Sequence, residues 1–382
     1  MGQDKFQITV NCIKLVLVFL MMVQAVPILV WLERRGSAFI QNRFGPNRVG
    51  PLGLLQLLAD AVKFLFKEEF FPAKGVKLLY YAAPVAALVP ATLAFAAIPL
   101  SAPVHIDVFE MFGQKWGPYT FLWQGFEINV GIVYILGVSS LGAYSILMAG
   151  WGSGNKYSLL GALRASAQII SYELALGLSI VGIILTYGTF NLTEMIAAQD
   201  GMMAFKFMGQ DIALQIPNWG IFYQPLAAIL FFAATFAESN RLPFDLAEGE
   251  AELVAGFHVE YGGFKMLLFF IGEYGHMMVA SGLMVTFFFG GWHIPYVSYE
   301  SVLQWAQGLT ATASGASLLT GLIHFLFWNL KFAIFLWIFI QVRWTLPRFR
   351  YDQLMDLGWK TMLPWALFNT IATALVIFVA HS

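Results

Sequence analysis

Long apolar runs recur along this chain, and they limit its possible folds more than any other feature. Eight of them, at about residues 12–32, 78–99, 128–149, 165–187, 221–238, 265–290, 319–342 and 361–380, come near the roughly 20 residues an α-helix needs to cross a hydrocarbon core. Hydrophobic residues make up 59% of the chain and mean hydropathy is +0.71, so the runs belong to lipid rather than to a soluble core. Backbone in lipid must satisfy its own N–H and C=O groups, and segments of this length do so as helices. The sequence therefore predicts an all-α polytopic membrane protein: one membrane domain over residues 1–382, with about eight transmembrane helices and charged loops.

Basic residues set the orientation. Of the 21 Lys and Arg, 16 fall in the loops after spans one, three, five and seven, from Arg34 to Lys360. The other side keeps Lys5, Lys14, Lys115 and Lys206, with Lys331 inside a span. An excess of Lys and Arg marks cytoplasmic loops, which puts both termini on the opposite side. The first run lacks a small-residue cleavage site and ends in Trp31-Leu32-Glu33-Arg34-Arg35, so it is expected to remain as a span. Cys12 is the only cysteine, which excludes an intrachain disulfide and a cysteine-ligated iron–sulfur cluster built by this chain alone. Neither glycine-rich nucleotide fingerprint, GxGxxG or GxxxxGK[ST], is present.

Only 11% of residues are charged, so their clustering carries information. The stretch AESNRLPFDLAEGEAELVAGFHVEY, from Ala237 to Tyr261, holds Glu238, Arg241, Asp245, Glu248, Glu250, Glu252 and Glu260. Pro243 suits the first position of a short helix, and acids in the next turn suit its dipole. Asp245, Glu248 and Glu252 then share a face and Glu250 points off it. Carboxylates this crowded titrate together. The acidic loop over 237–264 is expected to face the cytoplasm, and a merely solvated acidic surface is the plainer alternative. Glu33, at the end of span one beside Arg34 and Arg35, suggests an ion-pair network at the membrane surface. Arg43 and Arg48 flank a Gly45-Pro46-Asn47 turn, where positive-inside anchoring is the plainer meaning.

Residues 51–69 read as an amphipathic interfacial helix. Leu55, Leu58, Val62 and Leu65 form its apolar stripe, and the polar face with Asp60 and Lys63 can form one wall of a crevice entered from lipid. Glu173, Glu273 and Lys331 sit at membrane depth, where ionisable groups are costly; a proton or ion pathway is the sharper reading, a protonated acid bonded to a neighbouring helix the plainer one. The last inner loop, VRWTLPRFRYDQLMDLGWK, supplies Arg343, Arg348 and Arg350 as partners for the acids.

Taken together, ERR with GPNRVGP, KYSLLGALRASAQIISYE, AESNRLPFDLAEGEAELVAGF with EY, and VRWTLPRFRYDQLM resemble the H-subunit family of bacterial NADH:quinone oxidoreductase, respiratory complex I, over essentially the whole chain. The resemblance implies an eight-helix subunit of the bacterial inner membrane, with periplasmic termini, at the junction of the redox arm and the membrane arm. It implies that Glu33, Arg34, Arg43 and Asp60, with Lys63 beside them, line the quinone tunnel and its entrance. Glu173, Glu238, Glu248, Glu250, Glu252 and Glu273 would form the acidic link to the membrane arm, with Arg241 and Asp245 at the start of the same loop. It also implies quinone as substrate, FMN and iron–sulfur clusters carried by partner subunits rather than by this chain, and hydrophilic quinone-site and antiporter-like subunits as partners. Two departures, Gly262-Gly263 and Asp356, touch none of these positions. A related subunit of a membrane-bound hydrogenase or of a ferredoxin- or deazaflavin-dependent dehydrogenase is the nearest alternative. A stand-alone secondary transporter would show internal repeats, and none is visible.

Overall fold

The computed structural model describes residues 2–107, 109–111, 114–207, 210–245, 256–310 and 312–381. Its helices are α1 (Gly2–Ile40), α2 (Gln56–Phe66), α3 (Lys77–Ala96), α4 (Gly131–Ser139), α5 (Leu141–Gly152), α6 (Lys156–Tyr187), α7 (Leu192–Ala197), α8 (Gly220–Tyr223), α9 (Pro225–Glu238), α10 (Gly263–Phe288), α11 (Tyr299–Leu309), α12 (Ala313–Thr345), α13 (Tyr351–Asp356) and α14 (Leu363–His381). Among the described residues seven helical stretches are long and apolar enough to span a membrane, α4 with α5 and α13 with α14 each counting as one. A π-helical segment, Leu357–Met362, joins α13 to α14.

The fifth apolar run is the exception. Pro225 opens α9 and Gln224 before it is non-helical, with φ −133° and ψ 56°, because the proline ring disfavours helical backbone in the preceding residue. The run is thereby split into the single turn α8 and the 14-residue α9. Other spans outrun their sequence limits. Helix α1 continues to Ile40, and α6 starts at Lys156, capped by Asn155, whose side chain accepts from the Tyr157 N–H at 3.0 Å. Glu173 consequently lies mid-helix.

Helix α10 is the central one, with 72% of its spanning window buried against 22% for α1. Small residues let it approach its neighbours. A Cβ on Gly272 would come within 2.8 Å of the Ala87 carbonyl oxygen of α3, so that contact requires glycine. Its own Phe287 and Phe288, with Phe231 of α9 and Trp328 of α12, are fully buried in the core. Leu326, Leu375 and Phe378 are more than half exposed, as expected of a surface that meets lipid.

At one end of the bundle the connections form antiparallel hairpins, Val104–Ile106 with Tyr119–Phe121, Phe109–Met111 with Gln114–Trp116, and Met202–Phe207 with Gln210–Pro217. At the other end α2 lies across α1 and α10. It is shorter than residues 51–69, since Pro51–Gly53 is a separate 3-10 turn and Lys67 leaves the helix at ψ 139°. Its stripe of Leu55, Leu58, Val62 and Leu65 is exposed, and the opposite face meets the bundle.

Candidate functional site: two cavities with a common wall

The face of α1 that carries Val23, Val26, Pro27, Val30, Glu33 and Arg34 repeats at helical spacing and lines a cavity of about 380 Å³. Leu57, Asp60, Ala61 and Phe64 of α2 form its second wall. Leu267, Phe270, Ile271, Glu273 and Tyr274 of α10 form the third. Asn240, Arg241, Leu242, Asp245 and Arg343 close it. The cavity is thus apolar along its length and charged at one end.

Glu33 organises that end. One of its oxygens accepts from the Tyr274 hydroxyl at 2.6 Å and from Arg241 at 3.4 Å; the other accepts from Arg343 at 2.5 Å. Its partners are therefore not the adjacent Arg34 and Arg35, as the sequence suggested. Residues one and two apart on a helix point in different directions, so neighbours in sequence cannot converge on one carboxylate. Arg34 turns instead to Asp60, at 2.6 Å, and Gln56 supports the other Asp60 oxygen at 3.0 Å. Arg241 is buried, with its guanidinium 4.0 Å from the centre of the Tyr274 ring. Burial pulls its proton affinity down, but Tyr274, Glu33 and Glu273 outweigh burial and hold it charged, above its ordinary range.

Pro243 does not open a helix; Arg241 to Asp245 form a turn whose Pro243 carbonyl accepts from the Phe349 N–H at 3.2 Å. Arg348 reaches Asp245 at 3.0 Å, so one arginine of the last inner loop does pair with the acidic stretch. Arg350 pairs with Asp352. Glu248, Glu250 and Glu252 lie outside the described residues.

A second, smaller cavity of about 30 Å³ adjoins the first, large enough for a water or two. Its polar lining includes Ser139, Ser145, Glu238, Asn240, Glu273 and His276. Glu273 and Asn240 line both cavities. The Ser139 hydroxyl is within hydrogen-bonding reach of Glu238, and Glu173 is the next carboxylate close enough to act on it. Beside Glu273 stands His258, Nε2 to Oε1 3.9 Å, and burial lowers this histidine to about 3, which keeps it neutral.

The remaining sequence candidates lie elsewhere. Lys63 is exposed and lines neither cavity. Arg43 lines a separate groove with Trp31, Arg35 and Trp337, its Nε 2.7 Å from Gln41. Glu260 ties the end of the acidic stretch to the bundle: its carboxylate accepts from Asn155 at 2.8 Å and its carbonyl from the Tyr80 hydroxyl at 2.7 Å. Lys331 donates to the carbonyls of Phe289, Gly291 and His293 at 2.7, 3.0 and 2.6 Å. These three acceptors lie just past the C-terminal end of α10, whereas Glu273 stands in the N-terminal half of that helix. Sequence reasoning missed Tyr274, Asn240 and Ser139. Tyr274 offered a signal, a phenol beside a mid-span glutamate; the other two offered none.

A family model described as NADH dehydrogenase matches residues 13–374. The H subunit of the NADH-quinone oxidoreductase of Bdellovibrio bacteriovorus is 72% identical over 381 residues, covering 100% of this chain and 99% of that one. An H subunit of the Geobacter metallireducens enzyme is 41% identical over 97% of this chain and 98% of its own. The H subunit of Leptospira biflexa is 43% identical over 93% and 91%.

Proposed function

Because the chain belongs to the NADH dehydrogenase family, with the H subunits of NADH-quinone oxidoreductases, we propose that its larger cavity is the membrane-side wall and entrance of a quinone chamber. In this reading α1, α2 and α10 offer an apolar slot to an apolar quinone tail. The exposed stripe of α2 rests in the membrane surface, so the slot opens beside lipid. Glu33, Arg241, Tyr274 and Arg343 fix the charge at the polar end. Electrons arrive from FMN and iron–sulfur clusters of partner subunits, and this chain's residues bind, orient and handle protons.

Quinone reduction takes up two protons and alters charge in a low-dielectric space, which shifts nearby carboxylates. Glu273 faces that space and also the smaller cavity with Glu238, beyond which Glu173 follows. We assign Asp245, Glu248, Glu250 and Glu252 to the same acidic link, and Arg34 with Asp60 to the entrance. The face bearing Arg241, Asp245 and Arg348 meets the hydrophilic quinone-site subunits, and the acidic link leads to antiporter-like subunits. The 16-of-21 bias in basic residues supports a cytoplasmic position for that face and periplasmic termini in a bacterial inner membrane.

The observation that carries the reading is the position of Glu273 on both cavities. Glu273→Gln keeps size and removes the charge. In the assembled complex, NADH oxidation by a soluble artificial acceptor should persist while quinone reduction coupled to proton translocation falls about tenfold or more. Normal coupled activity in that variant would refute the link.

A further inference from the structure

A third cavity, of about 380 Å³, lies at the opposite end of α1 from the quinone slot. Leu17 and Met21 of α1, Phe121 of the hairpin and Phe325 of α12 give it apolar walls, and Leu17 is 58% exposed, so it opens toward lipid. Two polar groups interrupt that lining. Lys14 stands one helical turn before Leu17, its Nζ 6.0 Å from the Phe121 ring centre. Gln124 is only 3% exposed, and its side-chain Nε2 has no hydrogen-bond partner among the described residues. A buried donor without an acceptor is costly, and an occupant of the cavity can relieve that cost.

We propose that this cavity binds a monoanionic phospholipid from the surrounding bilayer. An acyl chain fills the apolar trough, an ester carbonyl accepts from Gln124 Nε2, and the phosphate lies against the Lys14 ammonium. Chain, acceptor and anion are the three features a phospholipid presents in that order, and the cavity meets each. Glu127 limits the headgroup charge. It lies within electrostatic reach of Lys14, and its own carboxylate is held by Asn191 Nδ2 at 3.4 Å, so a second negative charge on the lipid would be repelled. The site shares no lining residue with either cavity of the proposed quinone path and does not depend on that reading.

The test uses the complete, delipidated complex and a phosphatidylglycerol probe with a photoreactive diazirine on its acyl chain. Adducts should map to the peptides containing residues 14–21 and 121–124. Unlabelled phosphatidylglycerol should compete at about tenfold lower concentration than phosphatidylcholine, one charge-assisted contact's worth of discrimination. Lys14→Gln should erase that preference, Gln124→Leu should weaken both lipids, and Leu17→Trp should abolish labelling by filling the trough. Co-purification of the partner subunits through a tag on this chain checks assembly of each variant, and if one fails to assemble, the competition on the unaltered complex decides. Equal competition by the two lipids, adducts confined to other segments, or protein–protein cross-links showing a neighbouring subunit seated on Leu17 and Phe121 would overturn the proposal.

Discussion

Glu33 is held in a buried position by two guanidinium groups and a phenol that meet its two oxygens. Replacing it with Gln removes that compensation from Arg241, which is 6% exposed. Breaking a buried pair in this way costs about 3–5 kcal/mol, so Glu33→Gln should lower the thermal midpoint of the solubilised complex; a double variant with Arg343→Gln should lose less than the two single losses added. His258 gives a pH-dependent counterpart. Its folded value of about 3 lies below the ordinary value, so as pH falls through about 6.5 the unfolded chain binds a proton that the folded chain does not. Its contribution is complete above that pH and is lost progressively toward 3. His258→Asn should therefore narrow the gap in thermal midpoint between about pH 7.5 and about pH 5, and an unchanged gap would assign the acid lability elsewhere. Glu33 was legible in the sequence as a costly charge at a span end. Its partners were not, because they stand 208, 241 and 310 residues away and only tertiary packing brings them together.

Helix α2 shows what pattern can and cannot reveal at the scale of an element. Its apolar stripe led to the expectation of an interfacial helix, and in the structure the stripe is exposed rather than packed on the bundle. Which polar side chain reaches the cavity depends on the rotation of that helix against α1 and α10, and this the stripe leaves open. Asp60 lines the cavity and holds Arg34, whereas Lys63 lies in neither lining. Asp60→Asn should raise the quinone KM several-fold with little change in NADH oxidation by a soluble acceptor, and Lys63→Gln should leave both unchanged; steady-state kinetics on membranes would reverse the assignment if Lys63→Gln gave the larger shift. The break in the fifth span was equally open to inference, since Pro225 stands inside the apolar run; hydropathy alone passed over it because proline interrupts a helix without interrupting its hydrophobicity.

Across the whole molecule, the spans were readable and their packing was not. In lipid the outward and inward faces of a helix are both apolar, so hydrophobicity does not tell which face of α10 meets α3; the close approach of Gly272 to Ala87 does, and glycine alone is a weak sign of it. The two adjoining cavities are the product of that packing, and they divide the proposed work into binding and transmission. Phe270 lines only the larger cavity and Glu238 only the smaller, so they test the division directly. Phe270→Ala should raise the quinone KM and leave protons translocated per electron unchanged, because it removes apolar contact and no titrating group. Glu238→Gln should leave the KM near its original value and lower translocation per electron, since it removes a charge beyond Glu273 without touching the slot. Proton uptake measured in sealed vesicles alongside NADH consumption separates the two effects. If each variant altered both quantities to the same degree, the two cavities would act as one site, and the carboxylates behind Glu273 would be part of quinone binding rather than a path leading away from it.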